Sequence, residues 1–174
     1  MTETKETLAD TLSRQASDAV EEGRFLSSNS HRSPSPLFDE ALALATRALQ
    51  LDEDHADAHF QAGRALTFYD RNEEALRHFN RALELAPGPP PRLWQERACV
   101  LRNLKRWEEA LADVERLLAL ETTAGYVRLR GELLLELGQK DAAEQELRRA
   151  VSLGDSWAEH LLKSCLGISW PRRR

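Results

Sequence analysis

The sequence predicts an all-α fold of stacked helix-turn-helix units, and three observations carry that prediction. A small motif returns every 33 to 35 residues: Gly63, Ala75, Ala82 and Pro87 are echoed by Ala98, Ala110 and Leu117, and again by Gly131, Ala143 and Ala150. Within each period the apolar residues fall on two helical stripes joined by a short polar turn. Glycine or proline punctuates the stripes where helices must stop. A period of that length with small residues at fixed offsets marks a solenoid, in which each unit packs only on its neighbours.

The first unit, residues 1–55, is the most irregular. Leu12, Ala16, Ala19 and Gly23 supply a first helix, and Phe38, Ala41, Ala45 and Ala48 a second, in register 34 residues ahead of Ala75. Between them lies a Ser/Pro-rich stretch at about 27–36 that has nothing to bury and is expected to be a mobile loop. Terminal repeats are commonly atypical in this way, because they cap the array.

Residues 56–90 form the clearest unit. Ala58, Phe60, Ala62, Gly63, Ala65 and Leu66 lie on its first helix, and Ala75, Leu76, Phe79, Ala82 and Leu83 on its second. Asp70-Arg71-Asn72-Glu73 reads as the turn, with Asn72 a candidate N-cap. Pro87 to Pro91 ends the unit, since consecutive prolines lack the amide hydrogen a helix needs. Residues 91–123 follow with Leu93, Trp94, Ala98, Val100 and Leu101, then Trp107, Ala110, Val114 and Leu117. Residues 124–154 add Val127, Leu129, Gly131, Leu133 and Leu134, a stop at Gly138, then Ala143, Leu147 and Ala150 before a stop at Gly154. A solitary helix over 155–168, carrying Trp157, Leu161, Leu162 and Leu166, is expected to cover the last repeat, leaving a basic tail at 169–174. All of this amounts to one structural domain.

At 174 residues and 41% hydrophobic, the chain has enough apolar material for a continuous core. Its net charge of -5 argues against a general affinity for nucleic acid or an anionic membrane. Eleven acids and five bases fall in residues 1–55, so the repeats are close to neutral and any basic patch must be local. No run of about 18 apolar residues exists, and the polar, acidic start lacks the features of a signal peptide, so a soluble cytoplasmic protein is expected. Two cysteines, Cys99 and Cys165, are too few for a disulfide framework and read as free thiols.

The spacing of Gly63, Leu66, Ala75, Phe79, Ala82 and Pro87 resembles the tetratricopeptide repeat, with further copies at Trp94, Leu101, Ala110 and Leu117 and at Gly131, Leu134, Ala143, Leu147 and Ala150. The last copy departs from the pattern by placing Asp155 where the terminal proline belongs. The resemblance implies a right-handed α-solenoid of tetratricopeptide repeats whose concave face, lined by the first helix of each unit, binds a protein or peptide. Carried over by register, the groove residues are Phe60, Arg64, Phe68, Arg92, Gln95, Arg102, Asn103 and Arg128. Four of them would make a basic stripe, and arginine forks suit carboxylates, so an acidic or C-terminal peptide is the expected ligand. Domains of this family that serve heat-shock chaperones hold a terminal carboxylate with Lys and Asn; the matching places here carry Phe60, Arg64, Gln95 and Glu96, so that clamp is not reproduced.

Arg97 and Arg130 stand where the repeat often keeps leucine, and each is followed sixteen residues later by an acid, Asp113 and Glu146. The unit with Ala62 instead carries His78. That correlation predicts an ion pair between the two helices of a unit. His55 and His59 are four apart, but His55 precedes its helix and no third ligand follows, so no metal site is expected. Neither a phosphate loop nor a nucleophile elbow is present, and no catalytic residue or cofactor is expected. The function that remains is a non-enzymatic adaptor; a secretion-type chaperone and a structural or dimerisation subunit are the alternatives.

Overall fold

The computed structural model describes residues 2–29 and 33–167, and among these there are helices and no strands. In chain order they are α1 (Thr2–Asn29), α2 (Ser35–Leu51), α3 (Ala56–Phe68), α4 (Asn72–Leu85), α5 (Pro91–Asn103), α6 (Trp107–Leu120), α7 (Ala124–Glu136), α8 (Lys140–Ser152) and α9 (Ser156–Leu166). The all-α helical-repeat class is as the sequence predicts. No helix among the described residues is long and apolar enough to cross a membrane. The basic tail at 169–174 lies outside the described residues.

Two compact units are present, Met1–Leu93 and Trp94–Arg174. In the first, α1 packs on α2 and α3 through small residues: Ala9, Leu12, Ala48 and Ala58 form one cluster, Ala16, Ala45 and Ala62 a second, and Ala19, Val20, Phe38, Ala41 and Ala65 a third. Alanine faces let helix backbones approach closely, which is why the degenerate first repeat still makes a hairpin. In the second unit, Val127, Leu147, Ala150, Ala158 and Leu162 bury the last repeat beneath α9.

The loop expected at about 27–36 is shorter. Ser27 and Ser28 remain helical, their hydroxyls donating to the carbonyls of Gly23 and Arg24 one turn back, and Ser35-Pro36 already open α2. Residues 30–32 of that stretch lie outside the described residues.

Each hairpin solves one packing problem with a different pair of volumes. A Cβ on Gly63 would lie 2.5 Å from the Phe79 ring, and one on Gly131 would lie 2.9 Å from Leu147. The matching pair between them is Ala98 and Val114, both fully buried. Thus the smallest residue faces the bulkier partner and alanine goes with valine, as dense packing requires.

The turns repeat as well. Asp70, Lys105 and Gly138 take left-handed backbone, with φ of 54°, 60° and 74°. In every case the next amide donates five residues back, from Arg71 to Leu66, Arg106 to Leu101 and Gln139 to Leu134, which is the Schellman closure. The second helix starts at once: Asn72 is already helical and does not cap α4. Arg71 and Arg106 instead clasp Glu74 and Glu109 with two bonds each, at 2.7 and 2.8 Å and at 2.6 and 2.8 Å.

Candidate partner-binding face

In the first unit, the expected groove residues on α3 are largely withdrawn into the packing. Phe60 is buried with its ring 6.0 Å from that of Phe79. Arg64 lies over Phe60, its side chain 1% exposed, and donates from Nη1 to Gln61 Oε1 at 3.0 Å and from Nη2 to Glu21 Oε1 at 2.5 Å. The same Glu21 oxygen holds Arg92 Nη2 at 2.7 Å. Burial would raise the Glu21 carboxyl's pKa, but the Arg64 and Arg92 guanidiniums together hold it below the usual carboxylate range. Phe68 is stacked on Phe38 at 4.0 Å between centroids, with one face left to solvent. A cavity of about 310 Å³ remains between α1 and the start of α3, where Asp10, Ser13, Arg14, His55 and Gln61 are among its walls.

The histidines stand where the sequence places them. His55 caps α3, its Nδ1 accepting from the Ala58 amide and its Nε2 on Asp10 at 3.0 Å. His59 packs against His78, with 2.9 Å between their Nδ1 atoms. Among the described residues no cluster of three or more metal-ligating side chains occurs.

The second unit keeps an open face. Gln95, Arg102 and Arg128 line a cavity of about 380 Å³ between α5 and α7, together with Thr123, Tyr126 and Leu129. Arg102 also lines a second cavity of about 520 Å³, walled by Leu135 and Lys140 and by Trp157 and Leu161 of α9. Asn103 is exposed at the end of α5 and lines neither. Glu132 lies between the two arginines: its Oε2 accepts from Arg102 Nη1 at 2.7 Å and its Oε1 from Arg128 Nη1, while Arg128 Nε donates to Asp155 Oδ2 at 3.0 Å. Burial would lower the Arg128 pKa, but Glu132 and Asp155 outweigh it and raise it.

A glutamate therefore bridges two groove arginines in each unit, Glu21 for Arg64 and Arg92, Glu132 for Arg102 and Arg128. The groove arginines stand as neutralised pairs and not as a bare basic stripe. Register pointed to the arginines; Glu132 lies one turn after Arg128 on α7, whereas Glu21 sits in the degenerate repeat, 43 residues before Arg64, where no register signal reaches it. Tyr126 was missed because it falls between the register places; Trp157, which the sequence places on the capping helix, lies beyond the last repeat and is exposed.

The predicted intra-hairpin ion pairs are present. Arg97 donates from Nε to Asp113 Oδ2 at 2.8 Å and from Nη2 to Oδ1 at 2.6 Å, and Arg130 Nη1 approaches Glu146 Oε1 at 3.5 Å. Both serve the packing of a unit and not its open face.

A chain of helical hairpins with Schellman-closed turns, small residues at the hairpin contacts and an open face on the first helices belongs to the helical-repeat class. Tetratricopeptide-repeat profiles match residues 37–98 and residues 129–153. The chain belongs to the tetratricopeptide-repeat family, a family of protein-interaction scaffolds. Over 103 residues it is 34% identical to the Hsp70-Hsp90 organizing protein of Triticum aestivum and 30% identical to heat shock protein STI1 of Saccharomyces cerevisiae. Each alignment takes in 58% of this chain and 17% of the relative, so the chain spans less than a fifth of either protein. Among solved structures, MamA from Desulfovibrio magneticus RS-1 superposes with a TM-score of 0.70 at 20% identity, over 94% of this chain and 86% of that one. YrrB, described as a TPR protein with an unusual peptide-binding site, gives 0.63 at 23% identity over 78% and 67%. These two likenesses are of fold.

Proposed function

We propose that the chain is a non-enzymatic adaptor whose first-helix face holds a peptide or helix from a partner protein. The observation that carries this reading is the pair of adjoining cavities in the second unit, one mainly polar and one with an apolar wall of Leu135, Trp157 and Leu161, which meet at Arg102. Cavities of a few hundred Å³ with a few converging polar groups and an apolar wall suit a short segment of chain. The name of the Triticum aestivum relative, an organizing protein for Hsp70 and Hsp90, agrees with work done by binding other proteins.

Photo-crosslinking tests where a partner sits. A displayed peptide library is panned on the full chain, and captured peptides are crosslinked from a photoreactive residue at Gln95 or, separately, at Glu108 on the second helix of the same hairpin. Crosslinks from position 95 and not from 108 are expected. Crosslinks from 108 alone place the partner on the outer helices and sink the groove assignment.

A further inference from the structure

We propose that the second unit selects a peptide segment without net charge, one that offers carbonyl oxygens to the cavity between α5 and α7 and a bulky apolar side chain to Trp157. This rests on the groove reading above and specifies its ligand.

Charge balance is the first argument. Arg102 and Arg128 carry two positive charges, and Glu132 and Asp155, bonded to them, carry two negative ones. In the cavity between α5 and α7 a ligand carboxylate meets no uncompensated cation, and in the adjoining one the charge of Lys140 is matched by that of Glu136, so an entering carboxylate would give up its water beside fixed carboxylates with no net positive charge to receive it.

Hydrogen-bonding capacity is the second. Arg102 spends only Nη1 on Glu132, and Arg128 spends Nε and Nη1, so both guanidiniums keep further N–H groups without a partner among the described residues. The Tyr126 hydroxyl and the Gln95 amide line the same cavity, and neither has an intramolecular partner among the described residues. The carboxylates hold the guanidiniums in place from one side and leave donors on the other. Such a wall suits neutral acceptors, such as backbone carbonyls and side-chain amides, which it can satisfy without moving charge.

The apolar half fixes the second requirement. Trp157 is 57% exposed and stands with Leu135 and Leu161 in the adjoining cavity, sharing Arg102 with the polar half. A large aromatic beside a polar wall is the arrangement in which one buried anchor dominates binding.

The test uses the full chain and three sets of synthetic peptides of roughly 12 residues, each with one central leucine or phenylalanine. Flanks are Asn/Gln/Ser/Thr in the first set, Asp/Glu in the second and Lys/Arg in the third. The first set is expected to bind best, with affinity that changes less than about twofold from 50 to 500 mM NaCl because no net charge is screened. Tyr126→Phe should weaken it about fivefold and Trp157→Ala about tenfold, with circular dichroism unchanged. Preference for the acidic set, lost in Arg102→Gln, overturns the inference and leaves the groove reading standing. Binding that neither variant alters overturns it as well. No binding by any set overturns both.

Discussion

Arg97 grips both carboxylate oxygens of Asp113, and Asp113 is the one acid among the described residues whose side chain is wholly buried. Arg116 adds a third bond to Oδ1 at 2.9 Å, and both guanidiniums lie over the Trp94 ring, at 5.1 and 4.6 Å from its centroid. A carboxylate this deep is tolerable only because each oxygen is bonded to a cation. The pair therefore fixes how α5 and α6 face each other.

Removing the acid strands the cations. Asp113→Ala leaves Arg97, whose side chain is 19% exposed, without its acceptors and should destabilise the second unit by about 2–3 kcal/mol, below the cost of breaking a fully buried pair because Arg97 keeps some access to water. Chemical denaturation followed by tryptophan fluorescence measures it; a midpoint equal to that of the native chain would falsify the structural role.

Gly63 poses the opposite test. Alanine in a helix normally gains about 0.5–1 kcal/mol over glycine, yet here its Cβ meets a fully buried Phe79 ring at 2.5 Å. Gly63→Ala should cost about 1–3 kcal/mol through overpacking. The third repeat shows the remedy, alanine with valine, so Gly63→Ala with Phe79→Val should cost less than the sum of the two single changes. Strict additivity in that double-mutant cycle means that the two side chains do not compete for one space.

How much of this could be read beforehand follows from where each signal lies. The hairpins, the small contact positions and the Arg97–Asp113 pair were legible because each recurs at a fixed offset within a repeat. The burial of Arg64 was not, since its counter-ion Glu21 lies on a helix outside the regular copies and an arginine in a groove register looks the same whether exposed or enclosed. Asn72 misled for a local reason: the Schellman turn puts the cap position of α4 at Arg71, whose guanidinium reaches Glu74, and Asn72 is already inside the helix.

Lys105 sits in that turn at φ 60°, where Gly138 sits in the next repeat. A side chain with a Cβ loses about 1–2 kcal/mol in left-handed backbone, part of which glycine's own flexibility takes back. Lys105→Gly should therefore stabilise the second unit by about 0.5–1 kcal/mol, whereas Gly138→Ala should destabilise it. Thermal unfolding of both variants checks the pair of signs; a lower melting temperature for Lys105→Gly contradicts it.

His59 and His78 give the first unit a pH dependence whose sign is fixed by their bonds. His59 Nε2 donates to the Glu53 carbonyl at 3.0 Å, and with both rings neutral its Nδ1 accepts from the His78 Nδ1–H at 2.9 Å. Burial lowers the pKa of each; Arg81 and His55 near His59 and Arg77 near His78 push the same way, against Asp54, the Glu53 carbonyl and Glu74. In the unfolded chain both would protonate as pH falls below 6.5, while the folded pair resists. The unfolded state then binds more protons, so the stability from this pair is complete above that pH and declines as pH drops through the lowered folded values. Glu21, Glu74 and Glu109 have pKa values held below 4.5, so their contribution is lost only at more acidic pH. Urea unfolding at pH 7.5 and pH 5 should therefore show a larger loss for the native chain than for His59→Gln with His78→Leu, and equal losses would remove the histidine pair as the cause.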